Sequence, residues 1–121
     1  MRCPRIGVDL VETERIDRLM ARYGERFLRR VYSRGEREYC RGRVASLAVR
    51  WAAKEAVVKA LGCGFGEVCW TEIEVLNDAQ GAPHLHLSGQ ALARAQALGL
   101  TEWAVSLSHT AHYATAFVLA S

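Results

Sequence analysis

The sequence predicts one α+β domain in which a mainly antiparallel sheet packs on a long central helix, and three observations lead there. The apolar run Ile6-Gly7-Val8-Asp9-Leu10-Val11 reads as a buried strand interrupted by a single carboxylate. Val44 to Leu61 is almost all Ala, Val, Leu and Trp, and Gly62 closes it where a left-handed helix cap is usual. Beyond it, alternating segments come in pairs joined by turn residues. At 121 residues the chain supports one core and not two, because half-size pieces would bury too little surface.

Each element has its own signal. Thr13 offers a helix N-cap, and Ile16, Leu19, Met20 and Tyr23 then recur at helical spacing and mark a core face. Arg15, Arg18, Arg22, Arg26 and Arg29 form a second stripe rotated away from it, stepped where Gly24 interrupts the helix. Ser33-Arg34-Gly35-Glu36 has the form of a capping box and starts a short helix to about Arg41. Gly62-Cys63-Gly64-Phe65-Gly66 is a loop. Thr71 to Leu76 and His84 to Leu87 alternate as strands around the turn residues Asn77 to Gly81. Ser88 caps a helix from about Gly89 to Leu98, and strands at Ala104 to Ser108 and Tyr113 to Leu119 end the chain.

Half the residues are apolar and 24% are charged, an ordinary globular composition. No stretch is long enough for a membrane span, and the first residues run into a strand without a signal-peptide core, so the expected location is cytoplasmic. Cys3, Cys40, Cys63 and Cys69 show no paired spacing and read as reduced thiols. His84/His86 and His109/His112 leave open a histidine metal site. The net charge of +3 divides unevenly: residues 1–43 carry 12 of the 14 arginines against seven acids, and the remainder is net acidic. The charge that meets a partner is therefore near the N-terminus, and a small nucleic-acid-binding module is the alternative reading of it.

Charges on the long helix pose the sharpest question. Arg50 and Lys54 project together, whereas Glu55 and Lys59 lie about 140° around the axis, so one solvent face cannot hold both pairs. Glu55 and Lys59 are either an ordinary i, i+4 ion pair or charges kept on an apolar helix to meet a metal or ligand. Asp9 poses the same question in its strand, where it either points to an exposed face or serves a site. Glu12 and Glu14 suit the positive end of a helix.

Gly7-Val8-Asp9 with Arg15-Ile16 resembles the G-[IVL]-D-x-x-x-x-x-R-[IV] opening of the bacterial holo-[acyl-carrier-protein] synthases, the short type of 4′-phosphopantetheinyl transferase. Trp51-Ala52-Ala53-Lys54-Glu55-Ala56-Val57-Val58-Lys59-Ala60-Leu61-Gly62 is similar to that family's central signature. Phe27 to Ser33 with Glu36, Gly81-Ala82-Pro83, and Ser106-Leu107-Ser108-His109 match in order, so the resemblance spans nearly the whole chain.

The resemblance implies a 4′-phosphopantetheinyl transferase-like fold and a magnesium-dependent transfer of 4′-phosphopantetheine from coenzyme A to a serine of an acyl carrier protein. It implies Asp9 and Glu55 as the Mg²⁺ ligands, an assignment that suits a hard cation sharing substrate phosphates. Lys59, one turn beyond Glu55, is expected to stabilise the reacting phosphate. The serine proton goes to Glu55 or to a metal-bound water. Lys59, Gly62, Gly64, Gly66, Pro83, Ser108 and His109 are expected to contact coenzyme A; on the residues alone, the glycine loop reads equally as a helix stop. The family's docking surface is its first helix, which makes Arg15, Arg22 and Arg26 candidates for steering an acidic carrier protein. The resemblance further implies a homotrimer with active sites between subunits; with no apolar span and no nucleic-acid motif, neither membrane nor nucleic acid is expected as a partner.

Overall fold

The structure is a computed structural model that describes residues 3–121; Met1 and Arg2, where the reading of the chain's start begins, lie outside it. Its elements run β1 (Arg5–Glu12), α1 (Thr13–Tyr23), α2 (Glu25–Val31), α3 (Arg34–Cys40), α4 (Val44–Leu61), a 3₁₀ turn (Trp70–Glu72), β2 (Ile73–Asn77), β3 (Pro83–Leu87), α5 (Gly89–Ala97), β4 (Trp103–His109) and β5 (Tyr113–Ala120). All strand pairs are antiparallel, but they form two sheets, β1-β5-β4 and the hairpin β2-β3.

The helix α4 is the core. It is buried around nearly its whole circumference, and β1 and β5 pack across it. Small residues make that contact possible. The inner face of β5 is Ala114, Ala116, Val118 and Ala120, and that of β1 is Gly7, Asp9 and Val11. A Cβ on Gly7 would stand 1.8 Å from the carbonyl oxygen of Ala56, so only glycine lets strand and helix approach this closely. Buried Ile16, Leu47, Val57 and Leu61 each contribute about 1.5–3 kcal/mol through removal from water.

Local signals were realised unevenly. The Ser33/Glu36 capping box is present, with both reciprocal bonds formed. Gly24, at φ 56°, separates α1 from α2. Thr13 is not a cap: Glu12 holds that position, and the Thr13 hydroxyl instead donates to the Ala111 carbonyl at 3.0 Å. Ser88 stands at the start of α5 without a side-chain cap bond, and the carboxylate of Glu72 accepts the Gln90 amide there at 2.6 Å. Tyr23 is exposed rather than on the core face of α1.

Candidate active site

Gly7 brings β1 onto α4 beside Ala56, which carries Asp9, two residues along the same strand face, toward Glu55. The Glu55 carboxyl senses the charge of Asp9. Burial, and then the charge of Asp9, push the Glu55 carboxyl above its usual range, while Lys59 and Arg15 pull it back. Lys59 closes the group: its Nζ donates to Asp9 Oδ1 at 3.2 Å and to the Val8 carbonyl at 2.9 Å. The Asp9 backbone carbonyl accepts a 2.7 Å bond from Thr115 Oγ1, which fixes the strand where the carboxylate leaves it. The ion pair expected as one reading of Glu55 and Lys59 is thus directed to Asp9.

The donor set is chemically selective. Two carboxylates offer hard oxygen ligands, and one already pays an electrostatic penalty for the other's charge, which a cation would relieve. Among the described residues no group of three or more His, Cys, Asp or Glu side chains gathers that could hold a metal unaided. Asp9 and Glu55 therefore fit an ion such as Mg²⁺, which needs only one or two carboxylates and takes its other ligands from water and substrate phosphate.

A second constellation lies on the far flank of α4. A groove of about 350 Å³ is lined by Pro83, His109, Arg50, Tyr39, Asn77 and neighbouring residues. Pro83 and His109 come together here although 26 residues separate them. Ser108 does not line this groove, although Ser106, two residues earlier on the same face of β4, does. Arg50 is the residue that sequence reasoning left without a role. It is buried, its Nη1 donates to Ser46 O at 3.2 Å, its Nη2 donates to Asn77 Oδ1, and its Nε has no partner among the described residues. The signal was visible as a charge on an apolar helix.

The glycine loop is internally bonded. The amide of Gly62 donates to Lys59 O, that of Gly66 to Val68 O, and that of Gly64 to the Glu67 carboxylate at 3.3 Å. Arg94 from α5 holds the same Glu67 at 3.2 Å and donates to the carbonyls of Leu61 and Gly62. Along the arginine stripe, Arg18 and Arg29 are paired with Glu14 and Glu25 one turn away. Arg15 instead lies over Trp51 at 5.5 Å, Arg22 lies over Tyr23 at 5.3 Å, and Arg26 lines an apolar groove with Leu19, Tyr23, Phe27, Trp51 and Trp70.

Residues 5–118 match the 4′-phosphopantetheinyl transferase superfamily. The chain belongs to that superfamily. It is 51% identical over 120 residues to a holo-[acyl-carrier-protein] synthase of Herpetosiphon aurantiacus, covering 93% of this chain and 94% of the relative. It is 48% identical over 118 residues to one from Gloeobacter violaceus, covering 94% and 89%. Among solved structures, the Helicobacter pylori holo-[acyl-carrier-protein] synthase in complex with coenzyme A superposes with a TM-score of 0.87 at 32% identity, covering 96% of this chain and 99% of that one.

Proposed function

We propose that this chain transfers 4′-phosphopantetheine from coenzyme A to a serine hydroxyl of an apo-acyl carrier protein, using Mg²⁺ held by Asp9 and Glu55. The observation that carries the reading is the convergence of the Asp9 carboxylate, the Glu55 carboxylate and the Lys59 ammonium from β1 and α4. The serine oxygen forms a bond to the β-phosphorus of coenzyme A, and the bond from that phosphorus to the bridging oxygen breaks, so that adenosine 3′,5′-bisphosphate leaves with the electron pair. Magnesium, when bound, neutralises charge on the pyrophosphate oxygens. Lys59 supplies a fixed positive charge beside the same oxygens, which is the kind of positioning and neutralisation on which phosphoryl transfer depends. Glu55 accepts the serine proton directly or through a water.

The groove of Arg50, Pro83 and His109 receives another part of coenzyme A. It lies across α4 from the carboxylates, so one ligand reaches both constellations if the groove comes from a neighbouring protomer. Support for such an assembly, which we take to be a homotrimer, is the outer face of the three-stranded sheet. Ile6, Val8, Leu10, Phe117 and Leu119 are all exposed there, and Val8 stands opposite Phe117 and Ile6 opposite Leu119 in the register. That is a continuous apolar surface of the kind that marks an interface. Arg15, Arg22 and Arg26, which form no salt bridge among the described residues, steer the acidic carrier toward the groove beside them. No helix is long and apolar enough to cross a membrane, and the free cysteines suit a reducing compartment such as the cytoplasm.

The test is the mass of an apo-carrier protein incubated with coenzyme A, Mg²⁺ and this protein. One added phosphopantetheine that disappears with EDTA is the expected result, and no mass gain with several carriers would sink the reading. The competing nucleic-acid module rests on arginine count alone, and Arg18, Arg29 and Arg34 spend their charge on neighbouring acids. If it held, binding to random DNA would survive Asp9→Ala and Glu55→Ala.

A further inference from the structure

Arg50 is an awkward residue to keep. A guanidinium that is 3% exposed, with Nε unpartnered, carries a desolvation cost that the fold repays only partly through Ser46 O and the Tyr39 ring at 4.5 Å. What remains of its orientation comes from one side chain on another element. Asn77, the last residue of β2, accepts from Arg50 Nη2 through Oδ1 and donates from Nδ2 to the Gly81 carbonyl at 3.0 Å. Gly81 and Pro83 form the rim of the groove opposite α4. The turn between them is otherwise held by Asp78, whose carboxylate accepts the Gln80 and Ala82 amides at 2.9 Å each.

We infer that Asn77 is a positioning residue for the coenzyme A groove: its amide couples the plane of the Arg50 guanidinium to the Gly81–Pro83 rim, so that cation and rim are presented together to an anionic ligand. The chemistry requires an amide. Asn has an acceptor for the guanidinium and a donor for the carbonyl on one rigid group, and it leaves the positive charge of Arg50 uncancelled. A carboxylate would keep the first bond, lose the second and neutralise the charge. An alanine would free the guanidinium to turn toward other acceptors. This inference rests on the coenzyme A reading of the groove.

The experiment is a double-mutant cycle on the full chain, with coenzyme A affinity read by titration calorimetry and folding checked by thermal melts. Asn77→Ala is expected to weaken coenzyme A about 10-fold, the scale of a hydrogen bond to a charged group. In an Arg50→Met background, which keeps the volume and removes the charge, Asn77→Ala is expected to change affinity by less than about 2-fold, because its effect passes through Arg50. Asn77→Asp is expected to weaken binding at least as much as alanine while also flattening its salt dependence, which a purely structural role would not do. Additive losses from Asn77→Ala and Arg50→Met, or native affinity in Asn77→Asp, would overturn the inference and leave the functional reading standing. Absence of coenzyme A binding by the unaltered protein would overturn the functional reading, and the inference with it.

Discussion

Lys54 and Lys59 occupy the same helix, and each faces a carboxylate from another element, at 2.8 Å to Glu36 and 3.2 Å to Asp9. Their surroundings differ completely. Lys54 and Glu36 are both 0% exposed, and every remaining demand is met: Lys54 also donates to the carbonyls of Trp70 and Ile73, and Glu36 accepts the amides of Ser33 and Val75. Lys59 is 56% exposed and Asp9 16%, with the half-buried Glu55 beside them. The first pair ties α3, α4 and β2 into one unit. The second leaves charge accessible where a ligand can use it. Two chemically similar pairs thus differ in burial and in whether their lone pairs and protons are already satisfied; under the proposed function the first holds the fold and the second works in the site.

The contrast breaks most clearly at the working carboxylates. Asp9→Asn and Glu55→Gln are each expected to lower Mg²⁺-dependent turnover by about 10²–10³-fold, while urea denaturation at neutral pH finds metal-free Glu55→Gln at least as stable as the parent. For Glu55 the sign can be carried further. Its carboxyl titrates higher in the folded chain than in the unfolded one, so the folded chain holds more protons between those two values. Stability of the metal-free protein should therefore rise as pH falls through that window, and Glu55→Gln should flatten the trend.

At the holding pair the expectation inverts. Glu36→Ala strands a buried ammonium whose proton affinity burial already lowers and Glu36 restores, and should cost about 3–5 kcal/mol in denaturant unfolding. Turnover per folded molecule should change little. Lys59→Ala sharpens the comparison from the other side: unfolding free energy should move by no more than about 1 kcal/mol, because the pair is exposed, yet kcat should fall about 10²-fold. The smallest effect is on the first helices. Arg26→Glu should raise the KM for the carrier about 10-fold at low salt and less at high salt, with the KM for coenzyme A unmoved.

Much of this was legible in the sequence because local rules and charge placement agreed. The Ser33/Glu36 box, the Gly24 break and the Gly62 cap each follow from residue chemistry at one turn of helix. Two separated charge pairs on α4 signalled that not all could face solvent, but periodicity could not say which pair would be buried, since that depends on Glu36 arriving from another helix. Asp9 beside Glu55 was likewise implied by resemblance and not by spacing. Its physical cause is the missing Cβ of Gly7, visible only once β1 lies on Ala56. The split into two sheets follows from which strands pair with which, and alternation alone does not set that.

Binding of Mn²⁺ as a paramagnetic stand-in for Mg²⁺, counted by electron paramagnetic resonance in the presence of coenzyme A, addresses the paired carboxylates directly. One ion per chain in the unaltered protein, lost in both Asp9→Asn and Glu55→Gln but retained in Lys59→Ala, is the expected pattern. Undiminished Mn²⁺ binding after either carboxylate is replaced would contradict the assignment of β1 and α4 as the two halves of one metal site.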